Sequence, residues 1–171
     1  TLLTKRGGGW LKTYATGAGL NRLVIAAGTV QNGSGNAAKV VEFQGGSLVD
    51  NVATSNEINV AEGKAGSWTT ANRCTYTNKI TGSGKLTVYC ATESGSGWVA
   101  TRTPLKLNLA SFTGTLIPQA TNASDGRFTL DTNSGLANGI MNIPSGITVQ
   151  NTGKTYTIGE LIGKGALGAG C

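Results

Sequence analysis

The chain has no histidine. That removes the side chain most often used as a general base near neutral pH and the commonest nitrogen ligand for a transition metal. Cysteines number three, with no C-x-x-C pair among them, so they do not describe a metal site either. Only 13% of residues are charged and 39% apolar, both low for a globular chain of 171 residues. No run of 18 or more apolar residues occurs, which excludes a membrane-spanning helix. No signal-peptide pattern is visible. The glycine clusters Gly7-Gly8-Gly9 and Gly163 to Gly168 are not followed by G-K-[ST], which excludes a Walker-type phosphate loop.

The charge that is present is dispersed. Fourteen Lys and Arg against eight acids give a formal net charge of +6. The basic residues are scattered from Lys5 and Arg6 through Arg73, Lys106 and Arg127 to Lys164, with no cluster of four. A nucleic-acid binder concentrates such residues on one face or helix, so no nucleic-acid partner is expected. Among the acids, Glu57/Glu62 and Asp125/Asp131 are close in sequence, but each pair spans a turn. Neither they nor the eight acids together describe a two-carboxylate hydrolase or a calcium cluster. Ser94-Gly95-Ser96-Gly97 and Gly33-Ser34-Gly35 lack the base and the strand-to-helix setting of a nucleophile elbow. The chain is therefore expected to be no enzyme and to carry no cofactor or metal.

What is abundant is glycine, 27 residues of it, together with Thr, Ser, Asn and Ala. A phrase G-x-G-x-L occurs three times, at Gly7-Gly8-Gly9-Trp10-Leu11, Gly82-Ser83-Gly84-Lys85-Leu86 and Gly163-Lys164-Gly165-Ala166-Leu167. The copies are almost evenly spaced, which points to a stacked, repetitive architecture. A second phrase has a β-branched residue, two small or polar residues and a glycine. It occurs at Ile25-Ala26-Ala27-Gly28, Val60-Ala61-Glu62-Gly63 and Ile143-Pro144-Ser145-Gly146. In each, a strand ends on an inward apolar residue and glycine turns the corner.

Helical periodicity is absent, whereas alternating segments recur about every ten residues. Candidate strands include Arg22 to Ile25, Ala38 to Phe43, Glu57 to Val60, Leu86 to Cys90, Leu105 to Leu109, Phe112 to Ile117, Arg127 to Leu130 and Ile147 to Val149. Turn signals such as Gly45-Gly46, Asp125-Gly126 and Asn138-Gly139 fall between them. Two architectures fit: a parallel β-helix, whose corners recur, and an antiparallel β-sandwich or jelly roll, whose hairpins need not. Recurrence favours the β-helix. A trimeric phage-fibre-like assembly is a further alternative.

Leu3-Thr4-Lys5-Arg6-Gly7-Gly8-Gly9-Trp10-Leu11 resembles the opening of autotransporter-associated β-strand repeats. Val24 to Val30, Cys74 to Leu86 and Phe112-Thr113-Gly114-Thr115-Leu116 are similar to later phrases of the same β-helix passengers. The resemblance implies a right-handed parallel β-helix in a large surface or secreted bacterial protein, of a Bacteroidota-like kind. It extends to the repeat type alone, since the chain contains no C-terminal membrane barrel, and Lys79 and the stretch Arg102 to Leu109 depart from the pattern.

The expected reading is a single β-solenoid segment over 1–171, part of a longer chain, located extracellularly or at the outer-membrane surface. Its function would be that of a stalk or scaffold in an adhesin-like protein. The alternative is a carbohydrate-binding module of a glycan-degrading protein. That alternative rests on Trp68 and Trp98, which lie in polar, glycine-rich stretches near Arg73 and Arg102. Exposed rings could stack on sugars while the guanidinium groups bind hydroxyls or acidic groups; the competing reading is that each tryptophan packs over a corner. Partners would be host or dietary glycans or host surface proteins, without membrane insertion by this segment. Cys74 and Cys90 flank strand-like segments and fit either a disulfide or two reduced thiols on neighbouring rungs, and Cys171 leaves an odd count.

Overall fold

The computed structural model describes residues 1–14, 20–71, 74–90, 105–120, 127–130, 135–151, 155 and 157–169. Every regular element among them is a β-strand. In chain order these are β1 (Leu2–Lys5), β2 (Trp10–Thr13), β3 (Arg22–Ile25), β4 (Thr29–Asn32), β5 (Val40–Phe43) and β6 (Ser47–Asp50). Then follow β7 (Glu57–Val60), β8 (Ala65–Thr70), β9 (Lys79–Gly82), β10 (Lys85–Cys90), β11 (Asn108–Phe112) and β12 (Thr115–Ala120). The last five are β13 (Arg127–Leu130), β14 (Leu136–Ile143), β15 (Thr148–Asn151), β16 (Ile158–Gly163) and β17 (Ala166–Ala169).

The strands sort into three faces. The first is β1-β3-β5-β7-β9-β11, the second runs β2-β4-β6-β8-β10-β12-β14-β16, and the third is β13-β15-β17. Odd strands pair with odd and even with even, and the pairs are parallel. Parallel bridges Tyr76 to Leu105 and Leu105 to Leu130 extend the third face back beyond β13. This is a β-solenoid, as the recurring corners imply, and not an antiparallel sandwich. A coil takes about twenty residues: Ser47 meets Ser67 20 residues on. One coil is longer, with Gly82 and Thr113 separated by 31 residues.

The alternation that defines each strand also fills the interior. On β4, β6, β8 and β10 the inward positions carry Val30, Leu48, Trp68 and Val88, which stack in register and are all buried. The first face contributes Leu23, Val41, Ile58 and Ile80 in the same way. Burial of these columns removes apolar surface from water at roughly 25 cal/mol per Å². Phe43 reaches across from β5 to Gly66 on β8, where a Cβ would collide with its ring. Glycine on one face thus makes room for an aromatic ring on another.

The two glycine phrases prove to be one turn in two successive coils. After Val60 the chain takes a wide corner, with Gly63 at φ 67° and the Lys64 amide bonded to the Ala61 carbonyl at 3.1 Å. In the next coil Gly82, at φ 93°, lies over Val60, and the Ser83 and Gly84 amides both donate to the Val60 carbonyl at 3.1 Å. The pattern is duplicated farther along. Ile143 precedes Gly146 at φ 80°, and Gly163 at φ 105° lies over Ile143. There the Lys164 and Gly165 amides donate to the Ile143 carbonyl at 3.0 and 2.9 Å. The first pair sits between the first and second faces and the duplicate between the second and third. The Gly82 and Gly163 copies therefore mark one local turn used at two different corners, while in the first coil Lys5, not Gly7, holds the position equivalent to Gly82.

Gly63 and Gly82 separate two costs of adding a side chain. Both have positive φ, but a Cβ on Gly63 meets nothing, whereas one on Gly82 runs into the Val60 backbone. Gly63→Ala is expected to cost about 1 kcal/mol, the left-handed backbone term alone. Gly82→Ala is expected to cost at least ~2 kcal/mol, because a backbone carbonyl cannot move aside without breaking the inter-coil ladder. Urea denaturation of both variants checks the ordering.

Candidate functional site

The densest polar cluster among the described residues lies inside the solenoid. Asp50 ends β6 at an inward position, in register with Asn32 on β4. Both side chains are 1% exposed. The Asn32 Nδ2 donates to Asp50 Oδ1 at 2.8 Å, and Trp68 Nε1 donates to Oδ2 at 2.7 Å. The Thr54 hydroxyl also donates to Oδ2, at 3.3 Å. Asn78 continues the network, donating to the Asn56 carbonyl at 2.9 Å and to Asn56 Oδ1 at 2.6 Å, with Thr54 alongside. The carboxyl sits among neutral donors, with no cation in this contact set. Burial pushes its pKa up to about 6, and the bonds from Asn32, Trp68 and Thr54 counter that only in part.

Trp68 belongs to this cluster. It is fully buried, its indole N–H is held by Asp50, and its ring meets Tyr76 edge-on with centroids 5.3 Å apart. Tyr76 in turn accepts the Ala71 amide on its hydroxyl at 2.7 Å, and burial raises its phenol well above the ordinary value. The expectation that Trp68 presents a sugar-stacking surface is therefore corrected. Its position on β8 faces inward, and a buried Trp needs a partner for its N–H, which Asp50 supplies. Trp98, Arg73 and Arg102 lie outside the described residues. Cys74 is half-buried and Cys90 buried, and no disulfide joins them in the structure. Cys90 occupies the inward column that holds Thr70 one coil earlier. Cys171 lies outside the described residues.

The exterior carries paired charges. On the first face, the Arg22 guanidinium bonds Glu42, which also accepts from Gln44 Nε2 at 2.5 Å. One coil on, Glu57 accepts from Thr81 Oγ1 at 2.9 Å and stands 3.6 Å from Lys79 Nζ, while Asn59 donates to Thr81 at 2.9 Å. These carboxylates are held by neighbours on adjacent coils. Glu62 stands in the wide corner of Val60 to Gly63, on the opposite end of β7 from Glu57. The outward side of the second face is small and neutral along its middle: Thr29, Ser47, Ser67 and Thr87 follow one another in register, and the Ser47 and Ser67 hydroxyls bond at 2.7 Å. Two open depressions lie along the first corner, one between Lys64, Ser83 and Lys85, the other between Gly45, Ser47 and Ser67. No group of three or more metal-ligating side chains occurs among the described residues. No helix among them is long and apolar enough to cross a membrane.

Alternation alone places Asp50 inward, since Leu48 two residues earlier is buried. What the sequence does not display is its tie to Trp68, 18 residues away, which depends on coil register. No family model, curated protein or solved structure matches the chain.

Asp50 makes stability pH-dependent. Below about pH 4 the carboxyl is protonated in both folded and unfolded chains. Between about pH 4 and 6 the folded protein keeps a proton that the unfolded chain has lost, so stability falls as pH rises through that window and then levels. A rise from 3.8 to about 6 corresponds to roughly 3 kcal/mol. Urea denaturation at several pH values should show that fall in the parent protein relative to Asp50→Asn. The variant is also expected to be less stable than the parent at pH 4, because its amide offers one acceptor oxygen to three donors, whereas the hydroxyl of a protonated carboxyl can still accept. Parallel pH profiles for the two proteins would contradict the assignment.

Proposed function

We propose that this segment is a structural spacer, a stalk or scaffold element of a bacterial surface or secreted protein of adhesin-like type, with no catalysis of its own. The supporting observation is the stacking itself. Eight strands of the second face follow one another in an unbroken parallel sheet, so backbone hydrogen bonds run along the axis of the whole solenoid. Such a body transmits position from one end to the other with little internal freedom. Asp50 is committed to the interior network, and Glu42 and Glu57 to neighbouring coils. The surface or secreted setting rests on the similarity of the repeat phrases to autotransporter-associated strands. The carbohydrate-binding alternative loses Trp68 to the interior and retains Trp98, Arg73 and Arg102.

The test is the rigidity of the span. Seven steps of about 4.8 Å separate β2 from β16, so dyes placed at exposed Gly8 and Lys164 should lie about 30–40 Å apart. Single-molecule energy transfer should give one narrow distance distribution that holds until the chain unfolds. A broad distribution in native buffer would overturn the spacer reading. A glycan array probed with the intact chain tests the alternative, which requires retention.

A further inference from the structure

The outer surface of the second face carries two columns of different character. One holds Gln31, Val49, Thr69 and Tyr89 in register, the other Thr29, Ser47, Ser67 and Thr87. The first column shows that this flat face accepts large side chains, so packing does not impose the small hydroxyls of the second. Beside those hydroxyls runs the first corner. Ala61 to Lys64 separate β7 from β8, whereas only Ser83 and Gly84 separate β9 from β10, so the wide corner forms a ledge. Two depressions, of about 310 and about 230 Å³, meet at Ala65 beside it. Lys64, Ser83, Lys85 and Thr115 line the first, and Gly45, Ser47, Ser67 and Thr87 the second. Together they make a groove along the solenoid axis from β6 to β12, about 14 Å at the inter-strand spacing. Its lining consists of glycine, alanine, serine, threonine and lysine, and it lies in the middle coils.

The two lysines of the groove stand on successive coils, Lys85 over Ala65 and Lys64 directly before it, and both are exposed. Neither ammonium has an ion-pair or hydrogen-bond partner among the described residues. Elsewhere Arg22 is bonded to Glu42, Lys79 stands 3.6 Å from Glu57, and Lys5 Nζ donates to the Gly7 carbonyl at 2.6 Å. Glu62 belongs to the same corner but does not line the groove, and Glu160 lies two coils beyond Thr115. Two cations on adjacent coils without a counter-charge attract an anion. The Ser47 and Ser67 hydroxyls bond each other at 2.7 Å, which uses one O–H and leaves the other free to donate.

From this we infer that the groove binds an acidic polysaccharide strand laid along the solenoid axis. Lys64 and Lys85 take a carboxylate or sulfate of the sugar chain, and the serine and threonine hydroxyls bond its hydroxyls. Three features select this occupant. The unpaired lysines call for an anion. The lining has no apolar pocket for a peptide side chain, and the inter-coil ladder already uses the backbone groups with which a peptide strand would pair. Two lysines are also too few for a nucleic acid, which is held by many phosphate contacts. The coil rise of about 4.8 Å is close to the advance of one pyranose ring in an extended chain, so successive rings meet successive coils. The groove adds a lateral binding surface to the spacer, whose own test is the dye separation and is independent of this one.

Titration calorimetry of the intact chain with a galacturonate tetramer, a heparin tetrasaccharide and neutral cellotetraose tests this. At least one acidic probe should bind, the neutral one should not, and affinity should fall as salt rises. Binding of the galacturonate or of the sulfated probe alone supports the inference and names the acid. Lys64→Ala with Lys85→Ala should weaken binding at least roughly tenfold, and the Lys→Arg pair should retain it. Ser67→Val should weaken it roughly threefold while leaving the salt dependence as in the parent. Lys164→Ala, which removes a charge at the duplicate corner, should change nothing. All these positions are at the surface, and circular dichroism reports whether the β fold is retained. Failure of both acidic probes to bind, equal binding of the neutral one, an unaffected Lys64/Lys85 double variant, or an equal loss in Lys164→Ala would each overturn the inference. So would a single-stranded oligonucleotide that binds more tightly than either acidic sugar through the same two lysines.

Discussion

The parallel hydrogen-bonded ladder between coils is the constraint on which the other features depend. It requires each residue to lie over its counterpart about twenty positions earlier, so the choice at one position limits the choice at the next. At the corners the requirement is strictest. The Val60 and Ile143 carbonyls each accept two amides from the coil above, and the residue that crosses over them is a glycine in both cases. A chain built this way is rich in glycine because its corners have space for little else.

Stacking also explains why a carboxyl can be kept inside. Asp50 is costly to bury ionised, yet its neighbours above and below are fixed by register and both present N–H donors. Asn32 comes from the coil before and Trp68 from the coil after. Beyond Thr70 the same column continues as Cys90. The large rings Phe43, Trp68 and Tyr76 lie near this transition, and Gly66 opens the space that Phe43 fills. The middle of the solenoid is thus held by side-chain interactions as well as by the backbone ladder.

Much of the fold is legible in the sequence because two signals coincide there. Arg22 to Ile25, Glu57 to Val60 and Arg127 to Leu130 alternate and are punctuated by turn residues, and they form strands with those bounds. Where the signals part, the reading errs. Phe112 to Ile117 looks like one strand, but the chain turns at Thr113-Gly114 between β11 and β12, where a Cβ on Gly114 would collide with the Gly84 carbonyl. Asn138-Gly139 looks like a turn yet falls within β14, where the strand passes from the first face to the second. Ala65 to Thr70 shows little alternation because Gly66 and Thr70 take two of its three inward positions. The inward position of Trp68 is hidden in the sequence for the same reason. Its surroundings in sequence are polar, but its surroundings in space are Asp50 and Tyr76, reached only through register.

Residue-resolved amide hydrogen exchange tests the stacked architecture most directly. The account predicts slowest exchange for the inter-coil ladder amides of β5 to β10, with protection declining toward β1 and β2 at one end and β16 and β17 at the other, in steps that follow coils. Protection that is uniform along the chain, or highest in the end coils, would contradict a solenoid held together from its middle by inter-coil pairing.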